Sequence, residues 1–247
     1  MLRPRVIPCL LIHNNGLVKT VNFKEKTYIG DPINTVKIFN EKHVDELMVV
    51  DIDSTTLDKE PNYSLIKKLA NESRMPLCYG GGIKDEIQAK KIFNLGVEKI
   101  AISSAAIHNP NLINKISSMV GNQSVVIVLD IKKNLWGKYQ VVTHNGKKKV
   151  DINLDELILD IQKRGAGELV INSVDNDGKM QGYDYELLDR IHKLIKIPLT
   201  ILGGAGSQNH LVDAYKRYSI IGLSSGSLFI YKGKYKAVLI NYSNQLI

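Results

Sequence analysis

The sequence predicts a (β/α)8 TIM barrel, an α/β fold assembled from two similar half-barrels and expected to occupy residues 1–247 as a single domain. Three observations predict it. A length of 247 residues suits one α/β barrel, which commonly runs to about 250 residues. Short apolar, β-branched runs alternate along the chain with amphipathic stretches of helical period. The first half of the chain also resembles the second at a nearly constant spacing.

The elements follow in order. Arg5–Ile12 reads as the first strand, and Pro32–Glu41 as the first helix. Strand Glu46–Asp51 precedes helix Tyr63–Glu72, and strand Leu77–Tyr79 precedes helix Asp85–Leu95. Strand Lys99–Ile102 leads to helix Asn111–Val120, and strand Ser124–Asp130 to helix Leu154–Arg164. Strand Glu168–Asn172 with helix Tyr185–Leu194, strand Leu199–Leu202 with helix Gln208–Arg217, and strand Ile220–Leu223 complete the set. Continuous apolar strands separated by helices argue a parallel sheet covered on both faces. Eight such units at this length favour closure over an open sheet.

The repeat sharpens this. Glu46-Leu47 matches Glu168-Leu169, Asp53 matches Asp175, Pro76-Leu77 matches Pro198-Leu199, and Gly81-Gly82 matches Gly203-Gly204, all 122 residues apart. Ser103-Ser104 matches Ser224-Ser225 one residue short of that spacing, and Leu10-Leu11-Ile12 lies opposite Leu129-Asp130-Ile131. Glycine pairs therefore end strands three and seven, and small hydroxyl residues end strands four and eight. Glycine lets backbone approach a ligand closely, and loops after barrel strands commonly hold phosphate. Two copies on opposite sides of the mouth imply a ligand with a phosphate at each end.

Bulk properties narrow the classes. Apolar residues make up 44% and charged residues 23%, ordinary for a globular protein. Cys9 and Cys78 lie in apolar runs without metal-ligand spacing, so they read as reduced core thiols of a cytoplasmic chain, with no metal or cofactor expected. No apolar run approaches the roughly 18 residues of a membrane span, and the segment from Met1 to Leu11 lacks the small-residue cleavage site of a signal peptide. A net charge of +8 favours anionic partners. The basic cluster Lys147, Lys148 and Lys149 has no interleaved aromatics, so it reads as a solvated hairpin tip and nucleic acid is not expected.

Gly80-Gly81-Gly82-Ile83, Lys163-Arg164-Gly165-Ala166-Gly167-Glu168, Asp175-Asn176-Asp177-Gly178 with Gly182-Tyr183-Asp184, and Gly203-Gly204-Ala205-Gly206 carry a resemblance. From about Arg5 to Phe229 the chain resembles the cyclase subunit of imidazole-glycerol-phosphate synthase, a histidine-biosynthesis barrel. The resemblance implies a glutaminase partner on the N-terminal face that releases ammonia. Ammonia then crosses the barrel to attack a phosphoribulosyl-aminoimidazole-carboxamide nucleotide, giving imidazole glycerol phosphate and the aminoimidazole ribonucleotide. It further implies that Asp130 is the general acid/base of strand five, that Asp51 is a mouth carboxylate, and that Lys19 lies on the loop after strand one. One phosphate site would comprise Gly82, Ser103 and Ser104, although the family usually has an Asn-Thr pair at the last two. The other would comprise Asp177, Gly178, Gly204 and the run Ser225-Gly226-Ser227. Arg5, Glu46, Lys99 and Glu168 match a charged ring that gates ammonia entry, and Glu98 matches a carboxylate that meets the partner. The related isomerase barrel needs no such ring, which counts against it.

One departure matters most. The family has an aspartate at the end of strand one, where this sequence reads Cys9-Leu10-Leu11-Ile12. The repeat makes the same point, since Leu11 stands where Asp130 stands in the other half. Leucine cannot exchange a proton, and general acid/base catalysis typically contributes about 10²–10⁴-fold. His13 and Asn14 replace a usual Lys and Asp, and Thr20 a usual glycine; His13 is expected to be a solvent-exposed loop residue beyond the strand. Two readings follow: a histidine-pathway cyclase with a changed first loop, or a paralogue supplying ammonia to a separate amidotransferase that makes acetamidino sugars of surface polysaccharides. The retained ring and lost aspartate favour the second. A non-catalytic activator of the glutaminase is the third reading, and the phosphate sites argue against it.

Overall fold

The computed structural model describes residues 4–218 and 222–242. Eight parallel strands pair around a closed circuit: β1 (Arg5–His13), β4 (Leu47–Asp51), β5 (Leu77–Gly80), β6 (Lys99–Ile102), β7 (Val125–Lys133), β10 (Glu168–Ser173), β11 (Leu199–Leu202) and β12 (Gly222–Ser225), which returns to β1. The first seven strands lead into α1 (Pro32–Glu41), α2 (Tyr63–Glu72), α3 (Glu86–Phe93), α4 (Ser104–His108) with α5 (Asn111–Val120), α6 (Leu154–Lys163), α7 (Tyr185–Ile191) and α8 (Gln208–Tyr218). A short α9 (Ser227–Ile230) follows β12. The barrel is thus the expected fold. Of the eighth expected strand, Ile220–Leu223, only Gly222 and Leu223 lie among the described residues.

Asp and Asn residues begin several helices because their short side chains accept from backbone amides that lack an intrahelical partner. Asp31 accepts from the Asn34 amide, Asn62 from that of Leu65, and Asp85 from that of Gln88. Asp85, expected inside its helix, is therefore its cap. The helix expected over Tyr185–Leu194 tightens into a 3₁₀ turn over its last three residues, His192–Leu194.

Side chains alternate across each strand, and the two faces have separate cores. Val6, Leu10, Ile12, Leu47, Val49, Ile127, Leu129, Leu169 and Ile171 pack outward against the helices. Ile7, Cys9, Met48, Cys78, Ala101, Val126 and Val170 fill the interior, with Leu11, Val50, Val128 and Leu202 against them. The inward positions of β1 are hence Arg5, Ile7, Cys9 and Leu11, and those of β7 end at Val128 and Asp130.

Both halves carry the same devices. Gly81 and Gly203 have φ of +117° and +94°, and a Cβ would stand 2.3 Å from the Asp51 carbonyl oxygen and 2.5 Å from that of Ser173. Only glycine allows that backbone approach. The first strand of each half is extended by an antiparallel hairpin over the mouth: β2 (Gly16–Lys19) and β3 (Thr27–Gly30) after β1, and β8 (Tyr139–Thr143) and β9 (Lys148–Lys149) after β7. Lys147–Lys149 lie at the exposed end of the second hairpin. A last hairpin pairs β13 (Tyr231–Lys232) with β14 (Ala237–Val238).

Candidate functional site

A cavity of about 300 Å³ opens at the carboxyl ends of the strands. Leu11, Asp51, Gly82, Ser103, Ser104 and Asp130 line it, so six expected positions meet there. Its floor reaches Cys9, Met48 and Ala101.

Asp130 accepts a hydrogen bond from Asn172 Nδ2 at 2.8 Å. Burial pushes its carboxyl up to about 7, the Asn172 bond opposes this, and the Asp177 charge adds to it. A carboxyl that titrates near neutrality can both give and take a proton there. Asp51 is differently employed. Its Oδ1 accepts from the amides of Asp53 and Ser54, and its Oδ2 from the Ser54 hydroxyl at 2.8 Å. It faces the cavity but also closes the turn after β4. Asn172 and Ser54 were not foreseen; Asn172 is legible only as the next inward position after Val170.

His13 departs from expectation. It ends β1, is half-buried, and its Nδ1 lies 2.7 Å from Asp53 Oδ1. The Asn14 amide donates to Asp53 at 2.8 Å and Lys26 Nζ lies 3.6 Å away. Burial would raise the Asp53 carboxyl, but the Asn14 bond, His13 and Lys26 together hold it below its ordinary value. The loop histidine is therefore an anchor for the first loop, because Asp53 offers an acceptor at the strand end.

The two expected phosphate sets differ. Gly82, Ser103 and Ser104 face the cavity, and Ser103 Oγ is buried with no hydrogen-bond partner among the described residues. Asp177, Gly178, Gly204, Ser225, Gly226 and Ser227 do not line that cavity. Of these, Asp177, Gly178 and Gly226 lie under the first loop. Lys19 is buried and donates from Nζ to the Cys9 carbonyl at 2.9 Å, so close to Gly226 that a Cβ there would stand 1.6 Å from Nζ. Thr20 Oγ1 donates to Asp177 at 3.0 Å, and its carbonyl oxygen would be 2.2 Å from a Cβ on Gly178. Ser225 Oγ is committed to the Ala205 carbonyl at 2.9 Å. Burial lowers the Lys19 ammonium, with Cys9 and Asp177 opposing, and raises the Asp177 carboxyl.

At the opposite end the four ring residues close a circuit. Arg5 Nη1 lies 2.6 Å from Glu46 Oε2, and Arg5 Nη2 lies 2.8 Å from Glu168 Oε1. Lys99 Nζ lies 2.9 Å from Glu46 and 3.0 Å from Glu168. Thr200, unforeseen, donates from Oγ1 to Glu168 Oε1 at 2.5 Å. Burial would raise the Glu168 carboxyl; the bonds and charges of Arg5 and Lys99 and the Thr200 bond outweigh it and hold it low. Burial would lower Lys99, and the Glu168 and Glu46 charges outweigh that in turn. The next inward residues on β4 and β6, Met48 and Ala101, already floor the mouth cavity. Glu98 is exposed on the same face and accepts from the Leu77 amide at 2.8 Å.

Among the described residues no helix is long and apolar enough to cross a membrane. No group of three or more His, Cys, Asp and Glu there could hold a metal ion.

The family model described as "Histidine biosynthesis protein" matches residues 5–236. A Leptospira borgpetersenii protein provisionally named imidazole glycerol phosphate synthase subunit HisF is 54% identical over 99% of this chain and 96% of its own. A Pseudomonas aeruginosa protein, provisionally named subunit hisF2 of the same synthase, is 47% identical over 98% and 96%. The imidazole glycerol phosphate synthase subunit HisF of Streptococcus mutans serotype c is 33% identical over 94% and 92%. With its closed barrel, its duplicated loops and this similarity along nearly its whole length, the chain belongs to the histidine biosynthesis protein family.

Proposed function

We propose that this chain is a cyclase-type subunit of a glutamine amidotransferase complex, working in the cytoplasm as one barrel domain. It docks a glutaminase subunit on its N-terminal face, with Glu98 at the contact. It admits ammonia through the ring of Arg5, Glu46, Lys99 and Glu168, and holds a phosphorylated ribonucleotide at the mouth. The observation that carries this reading is the closed charged ring directly beneath an apolar floor. Ammonia is neutral and crosses an apolar interior at small cost, whereas ammonium would lose its hydration without replacement. A ring of charges sorts the two at the entrance.

At the mouth, Asp130 is the proton carrier and Gly82, Ser103 and Ser104 seat a phosphate. Asp177, Gly178, Gly204, Ser225, Gly226 and Ser227 form the second phosphate site when the first loop lifts, and Lys19, carried on that loop, belongs with Asp130 and Asp51 to the catalytic set. Leu11 leaves one carboxylate where the reaction uses two. We therefore assign the chain to a paralogue whose ammonia passes to a separate amidotransferase forming acetamidino sugars. Identity of 47–54% with provisionally named relatives, one numbered hisF2, against 33% with the HisF of Streptococcus mutans supports a paralogue. The test is ammonia-dependent cyclisation by the purified chain at high pH with ammonium salt. Turnover at least 10²-fold below a two-aspartate cyclase is expected, the order of one lost acid/base group; comparable turnover returns the chain to the histidine pathway.

A further inference from the structure

We propose that His108 is a ligand-binding residue of the mouth, contacting the phosphate ester seated at Ser103 and Ser104, with His144 as its positioning partner. This rests on the phosphate reading of that loop and adds a residue that reading does not contain.

His108 closes α4, the short helix that begins at Ser104. Its Nδ1 lies 2.6 Å from the Ser104 carbonyl oxygen. A carbonyl only accepts, so Nδ1 carries the proton and donates. The tautomer is thereby fixed by the phosphate loop itself, and Nε2 is the nitrogen left to meet a ligand. No described residue hydrogen-bonds to Nε2. The other face of the ring is held by His144, edge to face, with centroids 6.3 Å apart and planes at 83°.

His144 is committed at both nitrogens. Nδ1 lies 3.1 Å from Thr143 Oγ1, and Nε2 lies 3.3 Å from Lys148 Nζ. An ammonium only donates, so Nε2 accepts and the His144 ring is neutral. Burial lowers its pKa, and the Lys148 and His108 charges lower it further. One imidazole of the pair is therefore a neutral support, and the other keeps Nε2 without a partner among the described residues.

Both rings line the same cavity as Gly82, Ser103 and Ser104. The other charged lining groups have partners: Lys84 pairs with Asp58, Lys26 with Asp53, Asp51 with the Ser54 hydroxyl, and Asp130 with Asn172. Buried polar atoms are nearly always paired, so the unpartnered Ser103 Oγ calls for a polar ligand atom in the cavity that His108 also lines. A phosphate monoester supplies three strong acceptors there, and a protonated Nε2 donates to one of them.

The test is binding of glycerol 3-phosphate to the full chain by calorimetry between pH 6.5 and 8.5. A phosphate monoester has a second pKa of about 6, so above pH 7 the ester changes little and the slope belongs to the protein. Wild-type affinity is expected to fall several-fold across this range as the donor proton on Nε2 is lost. Ionisation of Asp130 also repels an anion in this window. His108→Gln separates the two: affinity falls to the wild-type alkaline level and the slope flattens. A slope kept in His108→Gln belongs to Asp130 and overturns the proposal, as does unchanged affinity. Nitrogen-15 NMR of the imidazoles gives an independent readout, with His108 Nε2 gaining a proton on ester addition while His144 does not. His144→Asn is expected to weaken binding less than His108→Gln. Absence of ester binding to wild type would overturn the phosphate reading together with this one; binding indifferent to His108 would overturn this one alone.

Discussion

The Asp53 carboxylate accepts from the Asn14 amide at 2.8 Å, and the same bond recurs in the second half, where Asp175 accepts from the Lys133 amide at 2.7 Å. Each bond ties the loop after one strand to the end of the strand before it. Because Asn14 and Lys133 are held alike, the residues three places earlier, Leu11 and Asp130, occupy equivalent inward positions. Both line the mouth cavity. The missing carboxylate is thus a substitution within a conserved geometry, with no shift of register to move another acid into its place.

Leu11→Asp restores that carboxylate. It is expected to raise ammonia-dependent cyclisation by about 10²-fold or more, the order of one general acid/base group. A cost of about 1–3 kcal/mol is expected too, since Leu11 packs against the apolar interior. Steady-state kinetics with a denaturant titration measure both. A stable variant with unchanged turnover would mean that the altered first loop, with His13 and Thr20, blocks the reaction independently of Leu11.

Asp130 makes stability depend on pH in a set direction. Its folded carboxyl is raised from 3.8 to about 7, so between those values the folded chain keeps a proton that the unfolded chain has lost. Stability attributable to this group therefore falls as pH rises from about 4 to about 7 and levels off above. Asp130→Asn is expected to melt higher than wild type at pH 8, by the equivalent of about 1–3 kcal/mol because the carboxyl opens on a wet cavity. The difference should vanish near pH 4. Melting curves across this range check it, and a difference that grows toward acid would contradict the assigned burial.

Much of this was legible from the period of the side chains. Arg5, Ile7, Cys9 and Leu11 alternate with outward residues, and the repeat aligns them with β7, so the inward face and its missing acid could be read before any coordinates. The ring was legible through the resemblance, which matched Arg5, Glu46, Lys99 and Glu168 at four separate strand starts. Thr200 was not, since a threonine on a strand usually reflects β propensity. His13 was misread because its partner, Asp53, lies beyond the next strand and nothing local predicts that contact. The inequality of the two phosphate sets was also hidden. It depends on where a hairpin folds back, placing Lys19 beside Gly226, and hairpin docking is a tertiary event.

Gly226→Ala tests that docking. The new Cβ would meet Lys19 Nζ, the far end of a flexible side chain, at 1.6 Å. The ammonium is expected to leave the Cys9 carbonyl at little cost to the barrel. Lys19 would then react several-fold faster with an amine-directed acylating reagent, read by peptide mass spectrometry against the exposed Lys147. Unchanged labelling would mean that the first loop is held chiefly by Thr20 on Asp177 and Asn22 on the carbonyls of Val174 and Asp175.

Lys99→Ala separates gate from staple at the other end. Among the described residues Lys99 is the one ammonium bridging Glu46 and Glu168, two buried carboxylates, and removing it leaves Arg5 as the described cation that compensates both. Breaking a buried pair commonly costs several kcal/mol; the half-open Arg5 still screens the site, so about 1–3 kcal/mol is expected. The Glu168 carboxyl lies below its ordinary 4.5, so its share of stability is present above that pH and is lost as pH falls through the folded value. Without Lys99 that acid loss should begin at higher pH. Lys99→Met keeps most of the side-chain volume without the charge and should show the same acid shift. If the ring also gates ammonia, both variants lower the ratio of ammonia used to glutamine hydrolysed when the glutaminase is present. A shifted acid limb with an unchanged ratio would leave the ring a staple of the barrel base and nothing more.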